Sequence, residues 1–223
     1  TNVQDAIEEL YNKAKSEKSC SASVTKPVLK DGLIPVKIAN DGTVTYADTN
    51  KSWYDYCDKV WANAVILNDG VSYNVGDTIK ESDIQSYFVW IPKYKYKLWN
   101  VDTPVENAHE IDIIFDTKDT TDISGVSCKT PMTSGSSGNC KNGEYMTHPA
   151  FISMGVNGFW AGKFETGYKG ATSATAAQVN SSDSSKIIIK PNSYSWRNST
   201  VMNMFTASYN YKRAMNSHMM KNT

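Results

Sequence analysis

Short apolar runs, most of them alternating with polar residues, cover much of this chain, and turns rich in glycine, asparagine and aspartate separate them. In residues 145–168, Phe159, Ala161 and Phe164 alternate with polar or small partners between glycines at 155, 158, 162 and 167. That spacing predicts a short aromatic strand held between tight turns. Residues 32–38 lead into Asn40-Asp41-Gly42 and then into residues 43–46, a hairpin whose turn residues tolerate positive φ. A second aromatic segment holds Trp53, Tyr54 and Tyr56, then the run 61–67, and stops at Asn68-Asp69-Gly70. Residues 87–99 form the strongest strand signal. Their first half is continuously apolar and reads as buried, while beyond Pro92 the residues Tyr94, Tyr96 and Leu98 alternate with Lys93, Lys95 and Lys97. The lysines read as a solvated face that discourages edge pairing. Residues 110–115 predict another strand, followed by a polar loop to residue 142. Residues 186–190 predict a short buried strand stopped by Pro191-Asn192.

Two segments carry helical spacing. In residues 1–18, Val3, Ala6, Ile7, Leu10 and Ala14 share one face, Glu8, Glu9, Lys13 and Lys15 lie opposite, and Thr1 with Gln4 has the form of a capping box. So short a helix is marginal by itself and needs a partner surface. It either docks on the rest of the chain or joins an upstream stalk in an oligomer. The linker-like stretch 16–26 favours the junction. The second helix is predicted over 199–215, with Val201, Met204, Phe205, Ser208 and Tyr211 three and four apart and Ser199 as its N-cap. Residues 169–185 are mostly alanine, serine and threonine, which predicts a mobile surface loop. The fold class is therefore α+β and β-rich. Residues 1–26 form a helix and linker, and 27–223 one domain that divides at most near 140.

Composition narrows the function. The 223 residues carry 23 Lys+Arg and 23 Asp+Glu, and no basic run exceeds two residues, so a nucleic-acid partner is not expected. Mean hydropathy is −0.47 and no apolar run approaches the roughly 20 residues that span a bilayer. The first residues lack the basic and apolar regions of a signal peptide, which fits a leader already removed. Four cysteines, at 20, 57, 128 and 140, allow three pairings. Cys128 and Cys140 bracket a polar, glycine-rich loop that burial cannot order, and a bridge there would remove about 3 kcal/mol of unfolded-chain entropy. Cys20 with Cys57 follows by elimination. Such bridges last in an oxidising, extracellular or cell-surface location.

Reactive constellations give way to plainer readings. Asp116, Asp119 and Asp122 lie three apart, whereas calcium loops place acidic ligands two apart, so a solvated loop is the reading and calcium the lesser alternative. No cysteine pair has zinc spacing. His109, His148 and His218 sit in no serine-triad motif, and Cys57 follows an aromatic run rather than a cationic setting. Residues 167–170 read as a turn rather than a phosphate cradle. Glu165 beside Lys163 reads as a cross-strand ion pair before a general acid. Asn198-Ser199-Thr200 fits a glycosylation acceptor. No cofactor and no enzymatic activity are expected.

Three blocks carry a family resemblance. His148-Pro149-Ala150-Phe151 with the run from Gly158 through Lys163-Phe164-Glu165 resembles an early strand of the formylglycine-generating-enzyme-like branch of the C-type lectin fold. Lys190-Pro191-Asn192 with Ser195-Trp196-Arg197, and the helix after them, resembles that branch's Pro…Ser-Trp step. The terminal run 218–223 resembles the start of its next segment. Residues 2–11, 61–65 and 88–96 are similar to surface and prophage-encoded proteins of gut Firmicutes, some with a pilin-like leader. The resemblance implies a C-type-lectin-like domain, truncated at its C-terminus. The branch's enzymes hold copper with a cysteine pair in their C-terminal half, and no cysteine follows Cys140 here. The expectation is a non-enzymatic extracellular adhesion module, displayed on a bacterial surface or appendage and binding a glycan or protein ligand. The alternative is a structural subunit of a pilus or phage tail fibre that self-associates through residues 1–18. Thiol titration of the denatured, unreduced protein checks the location: no free thiol is expected, and four free thiols would place the chain in a reducing compartment.

Overall fold

The structure is a computed structural model and describes residues 25–56, 58–97, 112–115, 145–147, 151 and 154–220. It is α+β and β-rich. The strands are β1 (Ile34–Ile38), β2 (Val44–Tyr46), β3 (Asn63–Leu67), β4 (Thr78–Ile79), β5 (Ile84–Pro92), β6 (Tyr94–Lys97), β7 (Asp112–Phe115), β8 (Tyr145–Thr147), β9 (Gly158–Gly162), β10 (Gly167–Tyr168) and β11 (Ile187–Ile188). After β11, among the described residues, come α1 (Val201–Tyr211) and a 3-10 turn at Arg213–Met215. The main sheet has the order β4-β2-β1-β3-β5-β9 with every pair antiparallel. Strands β7-β6-β8 and β10-β11 make two smaller sheets. Among the described residues no helix is long and apolar enough to cross a membrane.

Strands β3 and β5 lie at the centre, and all five residues of β3 are buried, four of them apolar and the fifth the amide of Asn63. One face packs Val36, Val44, Val65, Leu67, Ile79, Ile84 and Tyr87, with Val71 and Tyr73 of the loop after β3 against them. The hairpin turn runs through Gly42 at φ +87°, where the sequence placed it. The other face carries Ala62, Trp90, Trp53 and Tyr56, and continues through Leu33, Ala64 and Ile66 to Ile187, Ile189 and Ala207 of the helix. Trp90 and Trp160 stand opposite each other on β5 and β9, with ring centroids 5.5 Å apart. A side chain at Gly158 would meet the Trp90 ring at 2.3 Å, so only glycine lets that indole lie across β9. The Trp90 indole N–H donates to the Thr25 carbonyl (3.1 Å) and that of Trp160 to the Val28 carbonyl (2.7 Å). Residues 25–28 are thereby strapped over the sheet.

The long strand expected at 87–99 is two strands in two sheets. Pro92 has no N–H to give, the Lys93 N–H turns to the Asn157 carbonyl, and β6 then pairs with β7 and β8. The loop 169–185 lies at the surface as expected, most of its residues exposed, and is tied to the body near Ala177. Ala177 is fully buried, Val179 and Ala177 exchange backbone bonds with Arg197, and the Trp196 indole donates to the Val179 carbonyl. Small side chains permit that close packing. The helix cap is Thr200 rather than Ser199: Thr200 Oγ1 accepts from the Asn203 amide, while the Ser199 hydroxyl donates to the 180–181 segment. The N-terminal helix of 1–18, the strand ends at 98–99 and 110–111, and the division near 140 lie outside the described residues.

Helix α1 is anchored to β5 by a buried hydroxyl pair. Tyr211 Oη and Ser86 Oγ lie 2.7 Å apart, and Ser86 Oγ also accepts from the Ile189 amide at 3.1 Å. Burial pushes the Tyr211 phenol from 10.0 up to about 12, offset in part by the Ser86 bond. The fold thus favours the neutral phenol. That contribution is complete below pH 10 and is lost as pH rises through about 12. Tyr211→Phe is expected to cost about 1 kcal/mol in urea unfolding at neutral pH and to lose stability less steeply than wild type between pH 10 and 12. Equal midpoints and equal pH slopes would contradict this anchor.

Candidate binding surface

The aromatic block that the sequence singled out becomes β9 and the bend after it. A side chain at Gly162 would stand 3.3 Å from Ile189, so glycine allows the segment after β11 to lie against the end of β9. One further ladder bond, from the Lys163 N–H to the Tyr87 carbonyl, carries the chain past β9, and there the side chains diverge. Lys163 Nζ reaches across β5 to Asn63 Oδ1 at 2.6 Å. Asn63 is buried and its own amide nitrogen donates to the Trp61 carbonyl, which fixes the direction of the carboxamide. The Lys163 stem is at the surface, but its ammonium is drawn over the sheet, and that desolvation lowers the amine below the ordinary lysine value.

Phe164 packs edge-on against Tyr87, with centroids 5.7 Å apart, and keeps 36% of its surface exposed. The Tyr87 hydroxyl donates to Glu81, whose carboxylate lies 3.3 Å from Lys190 Nζ. Burial, then the bond to Glu81 and its charge, hold the Tyr87 phenol well above its usual range. Glu165 turns the other way and accepts from the Ser195 hydroxyl. The ion pair expected between Lys163 and Glu165 is therefore replaced by two separate partnerships. Beyond Gly162 the chain bends out of the ladder, so the two side chains no longer share a strand face. Tyr194, adjacent to Ser195, is 47% exposed, and Trp61 at the far end is 37% exposed.

Three partly exposed rings thus each adjoin polar groups: Trp61, packed edge-on against Tyr56 and Phe115, gives its carbonyl to the Asn63 amide, Phe164 lies between Lys163 and Glu165 in the chain, and Tyr194 precedes Ser195. Rings of this kind offer apolar faces for stacking, and the polar groups beside them can give and accept hydrogen bonds. Behind them β3 and β5 are paired on both sides, and β9 is the edge strand of the sheet. Sequence reasoning had named Lys163, Phe164 and Glu165 and the run that begins at Trp61, did not single out Tyr194, and missed Asn63 and Ser195 as the partners of Lys163 and Glu165 and Glu81 as the partner of Tyr87. The lone amide inside the apolar run 61–67 was the one signal available for Asn63. His218 lies exposed at the other end of the helix, with Nδ1 2.8 Å from the Asn216 carbonyl. No group of three or more metal-ligating side chains occurs among the described residues. His109, His148, Asp116, Asp119, Asp122 and the cysteines at 20, 57, 128 and 140 lie outside them.

A second exposed feature is the outer face of α1. Val201, Met202, Phe205 and Tyr209 are exposed, the Phe205 and Tyr209 rings stack 6.2 Å apart within 5° of parallel, and the Arg213 guanidinium lies 5.0 Å over Tyr209. Comparison of the chain with protein-family models, with curated proteins and with solved structures gave no match.

Proposed function

We propose that the chain is a non-enzymatic adhesion module of a bacterial surface or appendage, and that the surface from Trp61 to Tyr194 binds its ligand. The observation that carries the reading is that three partly exposed rings each adjoin hydrogen-bonding groups, at strand ends and bends beside the main sheet. A glycan suits it best: sugar C–H faces stack on aromatic rings while hydroxyls meet the amide, ammonium and carboxylate beside them. A protein ligand is the other outcome. The C-type-lectin-like assignment is part of the proposal, supported by the succession of the β9 block, the Ser195-Trp196 step and α1 in the order in which the resembled branch has them. An extracellular location fits the even cysteine count.

A structural subunit of a pilus or phage tail remains the second reading, favoured by the exposed apolar face of α1. A stable trimer or filament in light scattering supports it, and a monomer supports the first. Paired glycan and peptide arrays test the first reading directly. The intact chain is expected to bind a glycan class, and Tyr194→Ala or Phe164→Ala to weaken that binding about threefold to tenfold. Binding only to peptides would move the ligand to a protein, and no binding to either array would remove the proposal.

A further inference from the structure

We propose that the exposed face of α1 is the seat of this chain's own N-terminal segment, residues 3–14, running antiparallel to the helix. The seat is well defined. Val201, Phe205, Tyr209 and Arg213 recur every four residues on the side away from the sheet, while Ala207 and Tyr211 face the sheet. That stripe is roughly 18 Å long at 1.5 Å per residue. The apolar positions Val3, Ala6, Ile7, Leu10 and Ala14 recur three and four apart over roughly 16 Å, a matching length, and need a partner surface to hold a helix.

The point where the strap begins selects the occupant. Residue 25 is held to the sheet by the Trp90 indole, and Leu29 packs into the same cluster as Tyr211 and Met215, at the C-terminal end of α1. Residues 16–24 can span roughly 30 Å when extended, more than the whole stripe, so the segment reaches it in either sense. A tether of that length holds a segment near its seat at millimolar effective concentration, well above what a second copy supplies in dilute solution.

Charge selects the sense. Residues 201–215 carry Lys212 and Arg213 and no carboxylate, and both cations lie at the C-terminal end of the stripe. The first ten residues of the chain carry Asp5, Glu8 and Glu9 and no lysine or arginine, whereas Lys13 and Lys15 follow. The antiparallel arrangement brings the acidic half toward Arg213 and keeps the lysines away from it. The opposite arrangement would set lysines beside Lys212 and Arg213.

A photo-reactive benzophenone side chain installed at position 202 in the full chain tests this, with isotope-labelled and unlabelled chains mixed before irradiation. The expected crosslinks join position 202 to residues 1–15 of the same chain, with no mixed-isotope product. Ile7→Asp with Leu10→Asp is expected to lower their yield about tenfold or more, since two apolar side chains lose their burial. The near-ultraviolet indole signal of the sheet's tryptophans should stay unchanged, because neither residue belongs to the sheet or to α1, while the far-ultraviolet helical signal should fall as residues 3–14 lose their partner surface. Mixed-isotope crosslinks would assign the face to a second copy and overturn the proposal. So would same-chain crosslinks only to other regions, or a yield indifferent to the double substitution.

Discussion

Trp90 and Trp160 face each other across β5 and β9, and each gives its indole N–H to a carbonyl of residues 25–28. The pair solves two problems together. Large rings remove apolar surface from water on the face of the sheet opposite the Val36–Val65–Tyr87 cluster, and their N–H groups, which would be costly to bury unpaired, satisfy carbonyls of a segment with no strand partner there. Gly158 makes the arrangement possible by leaving room for the Trp90 ring. Tyr56 adds a third polar tie, its hydroxyl donating to the Trp90 carbonyl. Burial holds that phenol well above its usual range.

The same cluster determines where the exposed chemistry lies. Strand β9 is positioned by its pairing with β5, so the bend after Gly162 must present Lys163, Phe164 and Glu165 at the sheet's edge. Residues 187–189 close against that edge and bring residues 194–196 alongside, through a Trp196-to-Thr166 backbone bond and the Glu165–Ser195 contact. Helix α1 sits on the same side of the sheet as the strap, tied by Ser86 and Tyr211. The proposed ligand surface and the outer face of the helix are thus two products of one packing arrangement, and each can be altered without dismantling the other.

How much of this was legible depended on the range of the interaction. The β1–β2 hairpin was readable because its turn residues decide it locally, and the end of the segment that becomes β3 because Asn68-Asp69-Gly70 stops it, though its central place in the sheet was not read. The helix was placed to within a few residues, but its cap was misassigned by one, since Ser199 and Thr200 are chemically alike and only the 180–181 segment decides between them. The break at Lys93 was hidden because alternation specifies a strand and not the sheet it joins. That 169–185 is a surface loop was legible in its small polar residues, but its ties to Trp196 and Arg197 were not, because composition does not say which backbone groups find partners. The partners of Lys163 and Glu165 were out of reach: Asn63 lies 100 residues away and Ser195 30. Periodicity carries no information at that distance.

The central claim is that the indole pair and its strap carry stability out of proportion to their number. Chemical denaturation of wild type, Trp90→Phe, Trp160→Phe and the double variant measures it directly. Each single substitution is predicted to cost about 1–3 kcal/mol, from the lost indole bond, the carbonyl left unpaired and the smaller ring. The double variant should depart from additivity by about 0.5–1.5 kcal/mol, because the rings touch. Single variants that unfold with the wild-type midpoint, or a strictly additive double variant, would contradict the account.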